Sequence, residues 1–164
     1  MIDYSDILLA LGAVVLFSIV AVNTNRTLAN HSRLLMESEL EYTAVAKGQE
    51  LIDRAKTLAF DETTVGGGVP GTIPSGFTAP AGLGTAVDND SAGFDDFDDY
   101  HQYTVTDTTM NGIFQLTAAV RYVSESNPDS TVAQPTLRKR LAVTITSPFL
   151  SDTLTMQTLK THYR

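Results

Sequence analysis

The sequence predicts an α+β protein in which a long N-terminal α-helix lies by its second half across a four-stranded antiparallel sheet, its apolar first half projecting. Three observations lead there. Residues Ile7 to Val22, ILLALGAVVLFSIVAV, run for sixteen positions without a charge. From Leu34 the apolar residues recur at three-and-four spacing, and no proline occurs before Pro70. After Tyr100 the period changes to two, as strands with one buried face require.

The helix comes first in the chain. A bilayer core about 30 Å thick takes roughly 20 helical residues, and the uncharged run reaches that length with Tyr4, Ser5 and the short polar residues after Val22. A cleaved secretory signal would open on basic residues, whereas this chain opens on MIDYSD. A helix apolar all round needs more cover than a chain of 164 residues supplies, so lipid or other copies of the chain are its expected surroundings. The continuation is amphipathic, through Leu34, Leu40, Ala44, Leu51, Ala55 and Leu58, flanked by Val45, Ile52 and Ala59. A rod from Tyr4 to Phe60 would be about 85 Å long. Its weak point is Asn23 to Ser32, NTNRTLANHS, where poor helix formers are expected to fray or stretch.

Organisation follows from these shifts in pattern. Residues 1–33 form the apolar helix and residues 34–164 the globular part, with an amphipathic helix over 34–60, a connection over 61–100 and a sheet over 101–164. Gly, Pro, Thr and Asp dominate the connection, whose GGG at Gly66 to Gly68 is the first strong breaker cluster, and it reads as a long surface loop. In IFQLTAAVRYV the set Phe114, Leu116, Ala118, Val120 and Tyr122 alternates with polar or small residues, and LRKRLAVTIT buries Leu141, Val143 and Ile145 on the same logic. HQYTVTD and DTLTMQTLKTHYR supply the outer strands. Short links at MNG, SESNPDS and SPFLSD favour an antiparallel meander.

Composition removes several functions. A net charge of −8 disfavours a general nucleic-acid binder, which needs surplus Lys and Arg to neutralise phosphates. The absence of cysteine excludes disulfides, thiolate metal sites and a cysteine nucleophile. His31, His101 and His162 have no metal-ligand spacing and read as surface residues, and no Lys-Ser or Lys-Thr follows the GGG to make a phosphate loop. No enzymatic activity is expected.

One stretch concentrates charge. Six of the nineteen acidic residues fall between Asp88 and Asp99, in VDNDSAGFDDFDDYHQY. Asp88, Asp90, Gly93, Asp96 and Asp99 partly match a calcium-loop template, but Ala92 and the final Asp depart from it. Paired carboxylates also suggest glycosidase chemistry, yet adjacent aspartates on a loop lack the contrasting environments that separate two pKa values. Three roles stay open: a looser Ca²⁺ site using Asp95, Asp96, Asp98 and Asp99; ion pairing with the strand that carries Arg138, Lys139 and Arg140; or plain solvation. In each, Phe94, Phe97 and Tyr100 would anchor the segment on the domain. The basic strand also offers an inter-subunit patch for head-to-tail association.

Taken together, the uncharged ILLALGAVVLFSIVAV behind an acidic residue, its passage into RLLMESELEYTAVAKGQELIDRAKTLAF, the Gly-rich connection and the closing strands resemble a type IV pilin or pseudopilin. The segment GFDDFDDYHQY with a late RLAVTIT resembles minor pilin-like proteins. The resemblance implies a structural subunit of an extracellular filament at the cell surface. It would be held in the inner membrane before assembly, polymerise with itself, and be handled by pilus or secretion machinery. No cofactor is required, although some pseudopilins hold Ca²⁺ in such a loop. The filament core would be built from Ile7, Leu8, Leu11, Val14, Val15, Phe17, Ile19 and Val22. A glutamate early in the family's helix neutralises a neighbour's N-terminal amine; here Asp3 and Asp6 are the acids available, and Asp6, bordering the apolar run, takes that role. The alternative is that both aspartates simply sit in the interfacial region or cap the helix N-terminus. Arg26 and Arg33 lie beyond the run, opposite to the usual charge bias for an exported domain, so the resemblance also implies that a basic leader ahead of Met1 has been removed. The competing reading is a single-pass membrane-anchored domain that binds a partner without polymerising.

Overall fold

The computed structural model describes residues 3–84 and 91–163. Asp88, Asn89 and Asp90, part of the calcium-loop template, lie outside the described residues. The chain contains α1 (Tyr4–Thr57), β1 (Thr104–Thr109), β2 (Gly112–Tyr122), β3 (Arg138–Thr146) and β4 (Leu154–Thr161), with short 3-10 turns between α1 and β1. The four strands form one antiparallel sheet in the order β1-β2-β3-β4. This is the α+β helix-and-meander architecture that the sequence predicts. The chain divides into two compact units, Met1–Glu39 and Leu40–Arg164.

In the first unit α1 is continuous, including the Asn23–Ser32 stretch expected to fray. Hydroxyls there do not compete with the helix, because they bond back onto it. Ser18 donates to the Val14 carbonyl at 2.8 Å, Thr24 to Val20 at 2.9 Å and Thr27 to Asn23 at 2.9 Å. The same bonds leave these hydroxyls satisfied without water.

The second unit holds the core. Ala44, Gly48, Leu51, Ile52 and Ala55 form the buried stripe of α1. They meet Phe114, Leu116, Ala118, Val120, Leu141, Val143 and Ile145, the inward set of β2 and β3. Leu40 is half-buried, but Val45 of the expected flank faces outward. The small residues set the helix-to-sheet distance. A Cβ on Gly48 would stand 2.7 Å from Met156 Sδ and 2.8 Å from Ile145 Cδ1, so the helix lies as close to β3 and β4 as its backbone permits.

The end of α1 is held from the sheet. Lys160 of β4 donates to the carbonyl of Lys56 at 3.0 Å and to that of Leu58, which satisfies acceptors that a helix C-terminus leaves open and opposes its dipole. Beyond the helix, Ala59 bridges Asp96: its N–H donates to the Asp95 carbonyl at 3.2 Å, and its carbonyl accepts from Phe97 at 3.0 Å. The acidic segment is thereby set against the helix end.

The described part of the 61–100 connection is tied down by buried residues, at Phe94, Phe97 and Tyr100 as expected and at Phe77 and Leu83 as well. Phe77 and Leu83 join Phe60 and Tyr122 in a second apolar cluster, and Phe94, Phe97 and Tyr100 enter the main core. Phe94, Tyr100 and Tyr103 pack edge to face with centroids 5.0 to 5.8 Å apart, the arrangement ring quadrupoles favour. Apolar side chains too sparse to show periodicity still supply a second core.

The Gly48 contact gives a direct test of close helix packing. Gly48→Leu is expected to lower stability in urea unfolding by roughly 1–3 kcal/mol through overpacking. Gly48→Ala meets only flexible side-chain ends and gains up to about 1 kcal/mol of helix propensity, so it should stay near the parent.

Candidate functional site

Two features stand out, one in each unit. The first is the apolar surface of α1. Ile7, Leu8, Leu11, Val14, Val15, Phe17, Ile19 and Val22 are between 47% and 75% exposed, and with the equally exposed Leu9, Leu16 and Val20 the apolar positions go all round the helix. By length and composition α1 is long and apolar enough to cross a membrane. At its start, the Asp3 carbonyl accepts from Asp6 N–H at 3.0 Å and Ile7 N–H at 3.3 Å, and the Asp6 carboxylate accepts from the Asp3 N–H at 3.4 Å. Within one chain the two aspartates therefore close the first helical turn, where a negative charge also favours the dipole.

The second feature is a buried charge cluster. Alternation along β3 turns Lys139 inward with Leu141, Val143 and Ile145, and its side chain is fully buried. The ammonium donates to Asp61 Oδ2 at 2.7 Å, to Asp98 Oδ1 and to the Phe60 carbonyl at 2.9 Å. It also lies 4.5 Å from the centre of the Phe60 ring and 4.9 Å from that of Tyr122, a favourable position for a cation.

Asp61 is built to stay ionised there. It begins a 3-10 turn as a capping box, accepting from Thr63 N–H at 3.2 Å while the Thr64 hydroxyl accepts from its own N–H at 3.1 Å. The carboxylate also takes the Thr63 hydroxyl at 2.8 Å, Thr78 N–H at 2.9 Å, the Thr78 hydroxyl at 3.2 Å and the Tyr122 hydroxyl at 3.2 Å. Burial acts to raise its pKa, but the Lys139 ammonium and these donors prevail and hold it at about 2. Burial and the Asp61 charge push the Tyr122 phenol up, so it remains a donor.

Asp98 differs. Burial pushes its carboxyl up to about 8 despite the pull of Lys139, with the Asp96 charge adding to the rise. Its Oδ2 makes no hydrogen bond. One ammonium between two carboxylates leaves excess negative charge in a dry site, and retention of a proton on Asp98 removes it.

The other acids serve the local backbone. Asp96 Oδ1 accepts from the N–H groups of Asp98 at 2.6 Å and Asp99 at 3.1 Å, and Asp99 Oδ2 accepts from those of Asp95 at 3.0 Å and Asp96 at 3.3 Å. The Asp95 side chain is exposed. Burial, reinforced by the Asp99 charge, pushes Asp96 up to about 6. Among the described residues no three His, Asp or Glu side chains are grouped to hold a metal ion. Asp95, Asp96, Asp98 and Asp99 are not brought together as such a group: the carboxylates of Asp96, Asp98 and Asp99 turn to separate partners, and Asp95 faces outward.

The basic strand departs from the expected patch. Lys139 is no part of a surface, because the period of two that buries Leu141 buries it also. Arg138 and Arg140 lie on the opposite face, beside Arg121, which pairs with Arg140 across β2 and β3. Arg138 donates to the Glu125 carbonyl at 2.8 Å and Arg140 to the Asp129 carbonyl at 3.2 Å. Two histidines also depart from surface placement. His101 accepts from Val120 N–H at 3.2 Å, and half-buried His162 packs on Phe60 and Phe77.

Asp61 is a member of the cluster that sequence reasoning does not single out. Its signal is the run Asp61-Glu62-Thr63-Thr64 just past the end of an apolar helix face, with a hydroxyl three residues after the Asp as in a cap pattern, and the inward register of Lys139 marks a buried cation in need of an acid. A groove of about 280 Å³ between α1 and β1 holds another charged set. There Lys47 pairs with Asp107 at 2.8 Å and Glu50 at 3.1 Å, so these charges compensate each other. No family, curated protein or solved structure matches this chain.

Lys139→Met should destabilise the chain by roughly 3–5 kcal/mol, the usual cost of stranding one half of a buried ion pair. Adding Asp61→Asn and Asp98→Asn should recover a large part of that loss in denaturant unfolding. Asp96 yields a pH test. Its folded pKa lies above its unfolded value of 3.8, so its contribution is fully present below about pH 4 and is lost as pH rises through about 6. Asp96→Asn keeps the acceptor Oδ1 and should remove that decline, on the order of 2 to 3 kcal/mol, from a stability profile measured between pH 4 and 7.

Proposed function

We propose that this chain is a structural, non-enzymatic subunit of an extracellular type IV pilus-like filament. The observation that carries this reading is the apolar surface from Ile7 to Val22, exposed on all sides of α1. A helix of that kind gains by burial against lipid or against identical helices. Held first in the inner membrane, it would pass into a filament core of copies of itself, exchanging one apolar environment for another. Pilus or secretion machinery would drive the transfer. Asp6, at the edge of the apolar run, would neutralise a neighbour's N-terminal amine on giving up its turn contact to Asp3.

The globular unit would form the outer shell. Arg138 and Arg140, on the exposed side of the sheet with Arg121, offer a basic surface to an adjacent subunit in a chain that is acidic overall.

Electron microscopy of surface-sheared material, with immunoblotting of the membrane fraction, tests the proposal. The parent chain should appear in filaments. Val15→Asp should abolish them, since a central carboxylate costs about 2.5–3.5 kcal/mol per helix in an apolar phase, and Asp6→Ala should reduce their number. Filaments undiminished by Val15→Asp would overturn the assembly mechanism. A parent chain found only in membranes would favour a non-polymerising, partner-binding anchor.

A further inference from the structure

We propose that the Lys139 side chain condenses with that of Asp98 to form an intramolecular amide, with Asp61 relaying the protons. The inference does not depend on the filament reading, because it rests on the interior of the second unit alone.

The geometry provides an amine, an acid and a base in one dry site. Lys139 Nζ is within hydrogen-bond reach of both carboxylates, and the three side chains are 0%, 0% and 5% exposed for Lys139, Asp61 and Asp98. The Phe60 and Tyr122 rings close over the ammonium. The two acids are differently equipped. Asp61 is held in its charged form by donors from Thr63, Thr78 and Tyr122, which weakens it as a base but leaves an ionised carboxylate in direct contact with the ammonium, where a proton can pass. Asp98 has one oxygen against Nζ and a second, Oδ2, that makes no hydrogen bond. With its carboxyl pushed up by burial, Asp98 carries a proton near neutral pH, and a neutral acid is the better electrophile.

The steps balance without an oxidant or co-reactant. The Lys139 ammonium gives one proton to the Asp61 carboxylate, and the freed lone pair attacks Cγ of the Asp98 acid to form the C–N bond. The tetrahedral carbon then loses one of its two oxygens. Asp61 returns its proton to that hydroxyl, the C–O bond breaks, water leaves, and Asp61 takes the surplus proton from nitrogen. The products are a secondary amide, one water and a neutral Asp61 acid.

Two effects favour this direction in the interior. Holding the groups in contact substitutes for a bimolecular encounter, worth effective molarities of about 10⁵–10⁸ M when alignment is good. Condensation also replaces buried ions, each of which carries a desolvation penalty, with neutral groups. The bond would join β3 to the turn just ahead of β1.

Intact mass spectrometry of the purified full chain, with its N-terminus defined by sequencing, gives the primary measurement. The folded parent should be lighter than its sequence by one water, and a protease digest should contain a branched peptide joining the Asp98 and Lys139 segments. A mass equal to the sequence, or a water loss without the branched peptide, would overturn the proposal. Lys139→Arg and Asp98→Ala should both restore the full mass. If either fails to fold, the mass of the parent still decides the question. Asp61→Asn should also restore the full mass in folded protein; if that variant still carries the branched peptide, the relay assigned to Asp61 is wrong.

Discussion

An ammonium without water must be met on every side, and Lys139 sets that demand for the globular unit. Its partners come from distant parts of the chain: Asp61 and the Phe60 carbonyl just past α1, and Asp98 in the turn ahead of β1. None of these can move away without leaving a charge in an apolar interior, at a cost of several kcal/mol. Asp61 extends the constraint to Thr78 and to Tyr122 of β2. The segment between α1 and β1 is rich in Gly and Pro, and these bonds together with Phe77, Leu83, Phe94 and Phe97 give it a definite path. Polar satisfaction and apolar burial act here on the same residues.

The helix is fixed by a different means. Ala44, Gly48 and Ala55 allow the backbone of α1 to approach β3 and β4, where dispersion contacts rise steeply as gaps close. Lys160 then ties the last turn through the carbonyls of Lys56 and Leu58. Two lysines of adjacent strands thus hold the helix end and the segment that follows it. In the Met1–Glu39 unit the large apolar side chains from Ile7 to Val22 are exposed. That contrast between a unit that buries its own surface and one that presents it underlies the proposed division into shell and filament core.

Much of the fold is legible in the amino-acid sequence. The change from three-and-four spacing to alternation marks α1 and the four strands, and the short links imply the meander. Alternation also places Lys139 in register with Leu141 and Val143, and therefore inside, although the run Arg138, Lys139, Arg140 reads as a patch when taken as composition. The Asn23–Ser32 stretch misleads in the opposite sense. Helix propensity there is poor, but it is a weak local effect, and back-bonded threonines are compatible with a continuous helix.

The acidic segment marks the boundary between the two kinds of information. By itself the sequence determined that its aspartates were too close to stand uncompensated, that its aromatics would seek the core, and that sixteen residues from Ile7 to Val22 run without a charge. Only the tertiary structure decided which carboxylate met which partner. Asp98 turns in to Lys139, Asp96 and Asp99 turn back to their own backbone, and Asp61, remote in sequence, supplies the second carboxylate. The reason is physical. Periodicity reports which face of an element is buried, whereas ion pairing depends on the distance between groups that lie 78 positions apart for Asp61 and Lys139 and 41 for Asp98 and Lys139, and that distance exists only once helix and sheet have packed.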